Sequence, residues 1–213
     1  TELWARDGIF KAVKCKLCGL VWIDPFLTQT GLDMYYTNYI AHRLQDRKKM
    51  VQRNKMYQID ISFLENFIRS GKLLDVGCNG GFFLSKFRNS FDKYGIEVDE
   101  RAVKFARKTF PFGKNIYKAQ LVNAGFENKS FDCVTMRGVI EHFPDPKKAL
   151  EKVSKLLKKN GIFFISATPN LDSFCAHIYR EKWNQFNPIQ HLYYFSAATL
   201  SRLAFLCGLK LIA

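Results

Sequence analysis

The sequence lacks any apolar run near the roughly 20 residues that a membrane-spanning helix requires. Its first residues lack the basic, apolar and small-residue regions of a secretory signal peptide. It contains no internal repeat and no low-complexity segment. These absences disfavour integral membrane, secreted and repeat proteins, and we expect a cytoplasmic protein without a membrane span.

Cysteine is also sparse for a disulfide-stabilised protein, since only six of the 213 residues are cysteines and they are scattered. Several lie in apolar runs typical of buried strands or helices, so we expect reduced thiols and no disulfide framework. Hydrophobic residues make up 47% and charged residues 24%, which is the balance of a soluble globular protein. This length is enough for one domain with a small appendage.

The formal net charge of +14 has two interpretations. It suits a polyanionic partner such as RNA, a membrane surface or a phosphorylated substrate. Alternatively, lysines and arginines simply solvate the outer faces of helices, which we favour because no block of consecutive basic residues is present. Two predicted helices carry many of them: Arg101, Lys104, Arg107, Lys108, Lys147, Lys148, Lys152, Lys155, Lys158 and Lys159.

From Lys72 onward, short apolar strands alternate with amphipathic helices. Strands are predicted at 72–76, 93–98, 115–119, 131–136 and 161–167, and helices at 82–87, after Asp145 and at 197–207. Such alternation is typical of βαβ units. We therefore expect an α/β fold with a doubly wound, mostly parallel sheet and helices on both faces.

A glycine-rich turn with the sequence DVGCNGG runs from Asp75 to Gly81, between a predicted strand and a predicted helix. Residues without a β-carbon let backbone N–H groups approach a ligand closely beside a helix N-terminus. Alone, the turn could be a tight strand-to-helix connection. However, the next predicted strand ends at Glu97, where an acidic side chain in dinucleotide-type folds accepts hydrogen bonds from ribose hydroxyls, while Asp99 is placed to cap the following helix. The pairing predicts an adenosine-bearing ligand.

Three segments together resemble class I S-adenosylmethionine-dependent methyltransferases. The turn 75–81 is similar to their first motif, residues 131–146 to their fourth-strand segment, and residues 157–170 to their fifth strand and its exit. The resemblance covers about residues 55–213 and is strongest to the branch of ubiquinone-pathway O-methyltransferases and sugar or small-molecule methyltransferases. It implies a Rossmann-like methyltransferase sheet, S-adenosylmethionine as cofactor and S-adenosylhomocysteine as product.

The resemblance also implies a set of cofactor-binding residues: Asp75, Gly77, Cys78, Asn79, Gly81, Glu97, Val98 and Leu121. Two positions depart from the family. Asn79 replaces a motif glycine, and asparagine tolerates a left-handed backbone. Ala119-Gln120-Leu121 stands where an acidic residue is common, so adenine would be held by backbone groups near Leu121 and apolar contact from Val98.

The implied reaction is methylation of a small-molecule or sugar-like acceptor on oxygen, nitrogen or carbon. An oxygen acceptor needs a base, and the candidates are His142, just after the fourth strand, and His191, each of which could instead only hold a loop. Relatives can use a divalent metal on acidic residues of the fourth-strand segment; because Gly138 occupies one such position, we assign no metal.

Residues 168–194 form a long connection, which favours a functional lid. We expect residues 172–194, with an N-terminal segment around three tyrosines, to enclose the acceptor pocket. Aromatic residues near His191 either wall this pocket or pack in the core. The tyrosines and these aromatic residues are Tyr35, Tyr36, Tyr39, Trp183, Phe186, Tyr193 and Tyr194.

Residues 1–52 are predicted to form an appendage before the methyltransferase domain at 53–213. The pair Cys15 and Cys18 is half of a four-ligand zinc site. It resembles the second half of a zinc-ribbon-like module found in related methyltransferases, but the sequence contains no upstream pair. We interpret 1–52 as a truncated module followed by a linking helix.

Two alternatives remain. The charge allows an RNA methyltransferase, although the fourth strand ends in RGVIEH rather than an Asn/Asp-Pro-Pro-aromatic signature. The chain could also be an inactive, cofactor-binding partner subunit. The acceptor and the oligomeric state are not fixed by the sequence, because acceptor loops vary while the cofactor site does not.

Overall fold

A computed structural model describes residues 1–36 and 47–213. The chain folds into two compact units. The antiparallel unit comprises Thr1–Asp33, Gly138–Glu151 and Ala167–Ala213, and the parallel unit comprises Met34–Arg137 and Lys152–Ser166. In chain order the regular elements are β1 (Glu2–Asp7), β2 (Phe10–Lys14), β3 (Val21–Asp24), α1 (Gln29–Tyr36), α2 (Arg47–Leu64), β4 (Gly71–Val76), β5 (Phe91–Glu97), α3 (Glu100–Thr109), β6 (Ile116–Lys118), β7 (Phe131–Arg137), α4 (Pro146–Leu156), β8 (Leu157–Ser166), α5 (Phe174–Tyr179), β9 (Tyr193–Tyr194) and α6 (Ala197–Leu206).

The parallel unit contains a five-stranded sheet with the order β6-β5-β4-β7-β8, and all of its strand pairs are parallel. The strand order reverses between β4 and β7, which is the switch point where open α/β sheets bind ligands at the carboxyl ends of the strands. Its core consists of apolar side chains from β4, β5, α2, α3 and the segment after the glycine-rich turn, among them Ile61, Leu64, Leu73, Phe83, Leu84, Phe91 and Val103.

The antiparallel unit contains a four-stranded sheet with the order β1-β2-β3-β9. β9 comes from late in the chain: Val21 pairs with Tyr194 and Trp22 with Tyr193. Its core combines residues of the first three strands with aromatic residues of the 171–194 stretch: Ala5, Ala12, Val21, Ile23, Leu171, Ala176, Trp183, Phe186 and Tyr194.

The predicted α/β fold is confirmed, with all five predicted parallel strands present within a few residues of their expected positions. Asp99 caps α3 as expected, since its Oδ1 accepts from the N–H groups of Arg101 and Ala102 at 2.6 and 3.3 Å. The helix predicted at 82–87 is only a 3₁₀ turn at Leu84–Lys86. There the hydroxyl of Ser85 donates to the main-chain oxygen of Phe82 at 2.7 Å, a bond that competes with regular helix.

The division into units differs from the division predicted at residue 52. That position lies inside α2, and residues 1–33 share a sheet and a core with residues beyond 167. The difference arises from the pairing of β3 with β9, a contact distant in sequence that local patterns do not reveal.

All six cysteines are described and all are free thiols, as expected. The basic residues of α3 point to solvent, and Lys104 forms a 2.7 Å ion pair with Glu100 one turn earlier. This agrees with the interpretation of the positive charge as solvated helix faces. No helix within 1–36 or 47–213 has the length and apolar character needed to cross a membrane.

Candidate functional site

The glycine-rich turn adopts the backbone that its sequence predicts. Gly77, Asn79 and Gly81 have φ angles of 70°, 51° and 79°, so asparagine occupies a left-handed position as expected. A β-carbon at Gly95 of β5 would lie 2.6 Å from the Cys78 sulfur, so only glycine lets the strand approach the turn this closely. The turn and β5 therefore pack in direct contact, which glycine at position 95 makes possible.

Every N–H group from residue 77 to residue 81 already has an acceptor within the turn and its neighbours. Those of Gly77 and Cys78 donate to the Ile96 oxygen at 2.9 and 3.0 Å, and that of Gly81 donates to the Cys78 oxygen at 2.9 Å. Gly80 donates to the side-chain oxygen of Asn79 at 2.7 Å. These N–H groups were expected to face the ligand, but the chain itself already supplies their acceptors, so the turn offers a ligand close approach and carbonyl groups instead.

Glu97 organises this turn through its carboxylate. Its Oε2 accepts the Asn79 N–H at 2.9 Å, and its Oε1 accepts those of Val98 and Asp99 at 2.7 and 3.0 Å. Burial raises the pKa of Glu97, and the three backbone hydrogen bonds oppose that rise. Because a carboxylate oxygen has two lone pairs, Oε1 is fully used and Oε2 can accept one more hydrogen bond. Oε2 therefore keeps an acceptor position that a ribose hydroxyl can use, and the ribose contact stays a prediction.

Asp75 lies at the carboxyl end of β4 and is 2% exposed. The hydroxyl of Thr135, on the neighbouring β7, donates to its Oδ1 at 2.7 Å. Burial raises the pKa of Asp75 to about 7, against the opposing effects of Thr135 and the positive charge of Arg137. A buried carboxyl group poised near neutrality at a strand end is suited to a cationic ligand group.

The remaining predicted cofactor residues differ in what they can offer. The side chain of Cys78 is buried in the core of the parallel unit, so only its backbone can reach a ligand. The Leu121 side chain is also buried, in a 3₁₀ turn at Leu121–Asn123, which agrees with the expected backbone contact. Val98 is 54% exposed and presents apolar surface next to Glu97.

Arg137 was not among the residues that the sequence singled out. It ends β7, and its Nε donates to Asp60 of α2 at 2.7 Å. The guanidinium carbon lies 4.7 Å from the ring centroid of Tyr57. A charged residue at the end of a largely buried strand was a usable signal, but the sequence alone identifies neither Asp60 nor Tyr57 as its partner.

The two candidate bases lie side by side in the antiparallel unit, with the ring centroids of His142 and His191 5.1 Å apart. Two backbone-anchored bonds join their segments: the Leu192 N–H donates to the Glu141 oxygen at 2.9 Å, and the Tyr193 hydroxyl donates to the Pro144 oxygen at 3.1 Å. Residues far apart in the chain are thus held together as one cluster.

Main-chain carbonyls fix the tautomers of both histidines. The Nδ1 atoms of His142 and His191 lie 2.6 and 2.8 Å from the oxygens of Gln190 and Gln185. A carbonyl oxygen only accepts, so each Nδ1 carries the proton and each Nε2 the basic lone pair. Burial lowers the pKa of His191 from 6.5, which keeps it neutral at neutral pH.

Glu141 completes the cluster and was also missed as a site residue. It is 1% exposed, its Oε1 lies 3.8 Å from the Nε2 of His142, and its Oε2 accepts from the Thr168 hydroxyl at 3.1 Å. Burial raises the pKa of Glu141 to about 7. One ligand atom each from Glu141, His142 and His191 lie within 4.8 Å of one another, so the three can also hold a cation.

Tyr194 was considered as a pocket wall, and the structure places it in the core instead. It is fully buried, packs against Trp183 and Phe186, and its hydroxyl accepts the Asn187 N–H at 2.9 Å. The enclosure of the acceptor by the N-terminal tyrosines stays a prediction, because Tyr39 and the side chain of Tyr36 lie outside the described residues.

Cys15 and Cys18 form a tight turn between β2 and β3. The Gly19 N–H donates to the Cys15 oxygen, and the Cys15 N–H to the Leu20 oxygen, both at 2.9 Å. Backbone N–H groups of Cys18 and Leu17 lower the pKa of the Cys15 thiol. Both thiols thus lie in one turn, and their role as half of a zinc site stays a prediction from their spacing.

These features define a doubly wound α/β fold with two acidic side chains, Asp75 and Glu97, at the carboxyl ends of neighbouring strands, and with a separate histidine cluster. The sequence model of a family described as a methyltransferase domain matches residues 21–213. The chain belongs to this family and is a class I S-adenosylmethionine-dependent methyltransferase.

Particular relatives agree with this assignment. The ubiquinone biosynthesis O-methyltransferase of Idiomarina loihiensis is 29% identical over 173 residues, covering 75% of this chain and 71% of the relative. That of Pelagibacter ubique is 30% identical over 125 residues, covering 56% of this chain and 51% of the relative. The matches thus extend over about half to seven tenths of these curated relatives. A methyltransferase structure from Archaeoglobus fulgidus has a TM-score of 0.60 at 21% identity, over 76% of this chain and 74% of that one, and shows the shared fold.

Proposed function

We propose that this methyltransferase transfers the sulfonium methyl group of S-adenosylmethionine to an oxygen of a small-molecule or sugar-like acceptor, with the pair of His142 and His191 as general base. The observation that carries the proposal is the pair itself: two half-buried imidazoles, side by side, each with Nδ1 bonded to a main-chain carbonyl. The names of the relatives support oxygen over nitrogen or carbon, since both are called O-methyltransferases.

The residues of the parallel unit fit the cofactor. S-adenosylmethionine carries ribose hydroxyls and an ammonium group, and this unit supplies an open acceptor position on Glu97 Oε2 and the buried carboxyl of Asp75. Val98 adds exposed apolar surface for the adenine. The bound cofactor supplies an already activated methyl group, so the protein must orient the acceptor and exclude water.

A hydroxyl acceptor must lose its proton as the new bond forms, and the histidine pair is suited to take it. His191 has a lowered pKa and a basic Nε2, so it is available as a base at neutral pH. Beside His142, the Oε1 of the buried Glu141 lies 3.8 Å from Nε2, so an ionised Glu141 can stabilise a protonated imidazole electrostatically. The cluster can thus accept the acceptor's proton and stabilise the positive charge that results.

The test is methyl transfer from labelled S-adenosylmethionine to phenols, catechols and sugars, with RNA as a separate arm. In the variants His191→Gln and His142→Gln, kcat should fall about 10²- to 10⁴-fold for the residue that acts as base, with cofactor affinity unchanged. His177→Gln is the matched control, because His177 is exposed on α5. For the wild type, kcat should decline at a pH below 6.5 as His191 becomes protonated.

Wild-type turnover in both folded histidine variants would contradict the role of the pair. Methylation of RNA alone would establish the RNA alternative instead. Cofactor binding without transfer to any acceptor would favour the inactive partner subunit.

A further inference from the structure

Only some of the hydrogen-bond donors of the Arg137 guanidinium have partners. The side chain is 14% exposed, and Nε is occupied by the 2.7 Å ion pair with Asp60. Its Nη2 is buried and has no hydrogen-bond partner among the described residues. Because a buried N–H of a charged group is costly to leave unpaired, this atom calls for a partner that residues 1–36 and 47–213 do not supply.

The sheet register places Arg137 beside the glycine-rich turn 75–81. Val76 of β4 pairs with Met136 of β7, so Arg137 stands next to Gly77 at the carboxyl ends of both strands. Side chains alternate between the faces of a sheet, so Arg137 shares a face with Thr135, whose hydroxyl contacts Asp75. A positive and a negative side chain thus lie close together at the switch point, and the charge of Arg137 lowers the pKa of Asp75.

We infer that Arg137 binds the α-carboxylate of the methionine portion of S-adenosylmethionine through Nη2, while Asp75 faces the α-ammonium group. The amino-acid end of the cofactor carries both charges on one carbon, which matches an Asp75–Arg137 pair on one face. The inference deepens the cofactor half of the proposed function and is independent of the acceptor.

Two other assignments fit less well. Lys93 is a second largely buried cation of the parallel unit, but its Nζ donates to the Phe87 oxygen, and it pairs with Leu73 toward the amino ends of the strands. Arg137 could serve only to tie α2 to the sheet, since Asp60 also accepts from the Ser166 hydroxyl at 3.0 Å. That role uses Nε and leaves Nη2 without a function.

The test compares two ligands by calorimetry: S-adenosylhomocysteine and its decarboxylated analogue, which keeps the ammonium group. The wild type should bind S-adenosylhomocysteine about 10- to 100-fold more tightly, the scale of one charged hydrogen-bonded contact. In Arg137→Met this preference should vanish, through weaker binding of S-adenosylhomocysteine and unchanged binding of the analogue. Arg88→Met, which removes an exposed arginine paired with Glu65, should keep the preference.

The double variant Arg137→Met/Asp60→Asn guards against misfolding, because it leaves no unpaired buried carboxylate in place of the ion pair. Equal affinities of the two ligands for the wild type would overturn the inference. So would a folded single or double variant that keeps the wild-type preference, or one that weakens both ligands equally. No acceptor enters these measurements, so failure of the proposed acceptor chemistry would leave their outcome unchanged.

Discussion

Replacing Glu97 with glutamine removes a carboxylate that three backbone N–H groups share. The glutamine amide has a single acceptor oxygen. If this oxygen accepts the N–H groups of Val98 and Asp99, the amide NH₂ group faces the Asn79 N–H, and two donors then oppose each other. Losing one hydrogen bond to a charged group costs about 1–3 kcal/mol. We expect the dissociation constant of S-adenosylhomocysteine to rise about 5- to 150-fold, both because the ribose loses its acceptor and because the turn loses its anchor.

Calorimetric titration with S-adenosylhomocysteine measures this effect, and urea denaturation of the same samples separates binding from folding. Glu127→Gln is the matched control, because Glu127 is exposed in a loop of the parallel unit. Wild-type affinity in a folded Glu97→Gln variant would refute the assignment of Glu97 to the cofactor site.

Two further substitutions test buried groups. Burial raises the pKa of Asp75 from 3.8 to about 7, so the folded state binds the extra proton and stability falls as pH rises from 4 to 7. In Asp75→Asn, the free energy of unfolding measured with urea should no longer fall over this pH range, so by pH 8 it should have risen relative to that of the wild type by at most about 4 kcal/mol. Parallel pH profiles of the unfolding free energy for the two proteins would contradict the burial argument. Tyr194→Phe should cost about 1 kcal/mol, since it leaves the Asn187 N–H unpaired, and should not change cofactor affinity; impaired cofactor binding in the folded variant would contradict its placement in the core.

The parallel sheet could be predicted because its determinants are local. β4 and β7 are largely buried strands rich in apolar residues, the turn 75–81 needs glycine or asparagine at defined positions, and Asp99 lies where a helix cap is required. Each of these signals lies within a few residues of the feature that it specifies. The candidate cofactor residues Asp75 and Glu97 lie at the ends of β4 and β5, and their role stays a prediction that rests on the family resemblance.

The antiparallel sheet could not be predicted in this way, because its fourth strand is the two-residue β9. Strands this short carry no periodicity, and the pairing of Val21 with Tyr194 spans most of the chain. The proximity of the two histidines could not be predicted for the same reason, because they are distant in the sequence. The sequence indicated His142 and His191 as two separate candidate bases. Only the fold shows that the two side chains are neighbours and that Glu141 lies beside them.

Each candidate site contains a buried carboxyl group, although the chain as a whole is strongly basic. Lysine and arginine number 33 against 19 aspartate and glutamate, yet Asp75 and Glu141 are almost completely buried. A surface carboxylate such as Glu100 gains from nearby lysines, and its pKa is lowered to about 2. Burial instead raises the pKa of Asp75 and Glu141, so each opposes folding when ionised. Because a bound ammonium group or an acceptor proton would offset that cost only when ligands are present, the burial of these two carboxyl groups agrees with the roles proposed for them and does not serve stability.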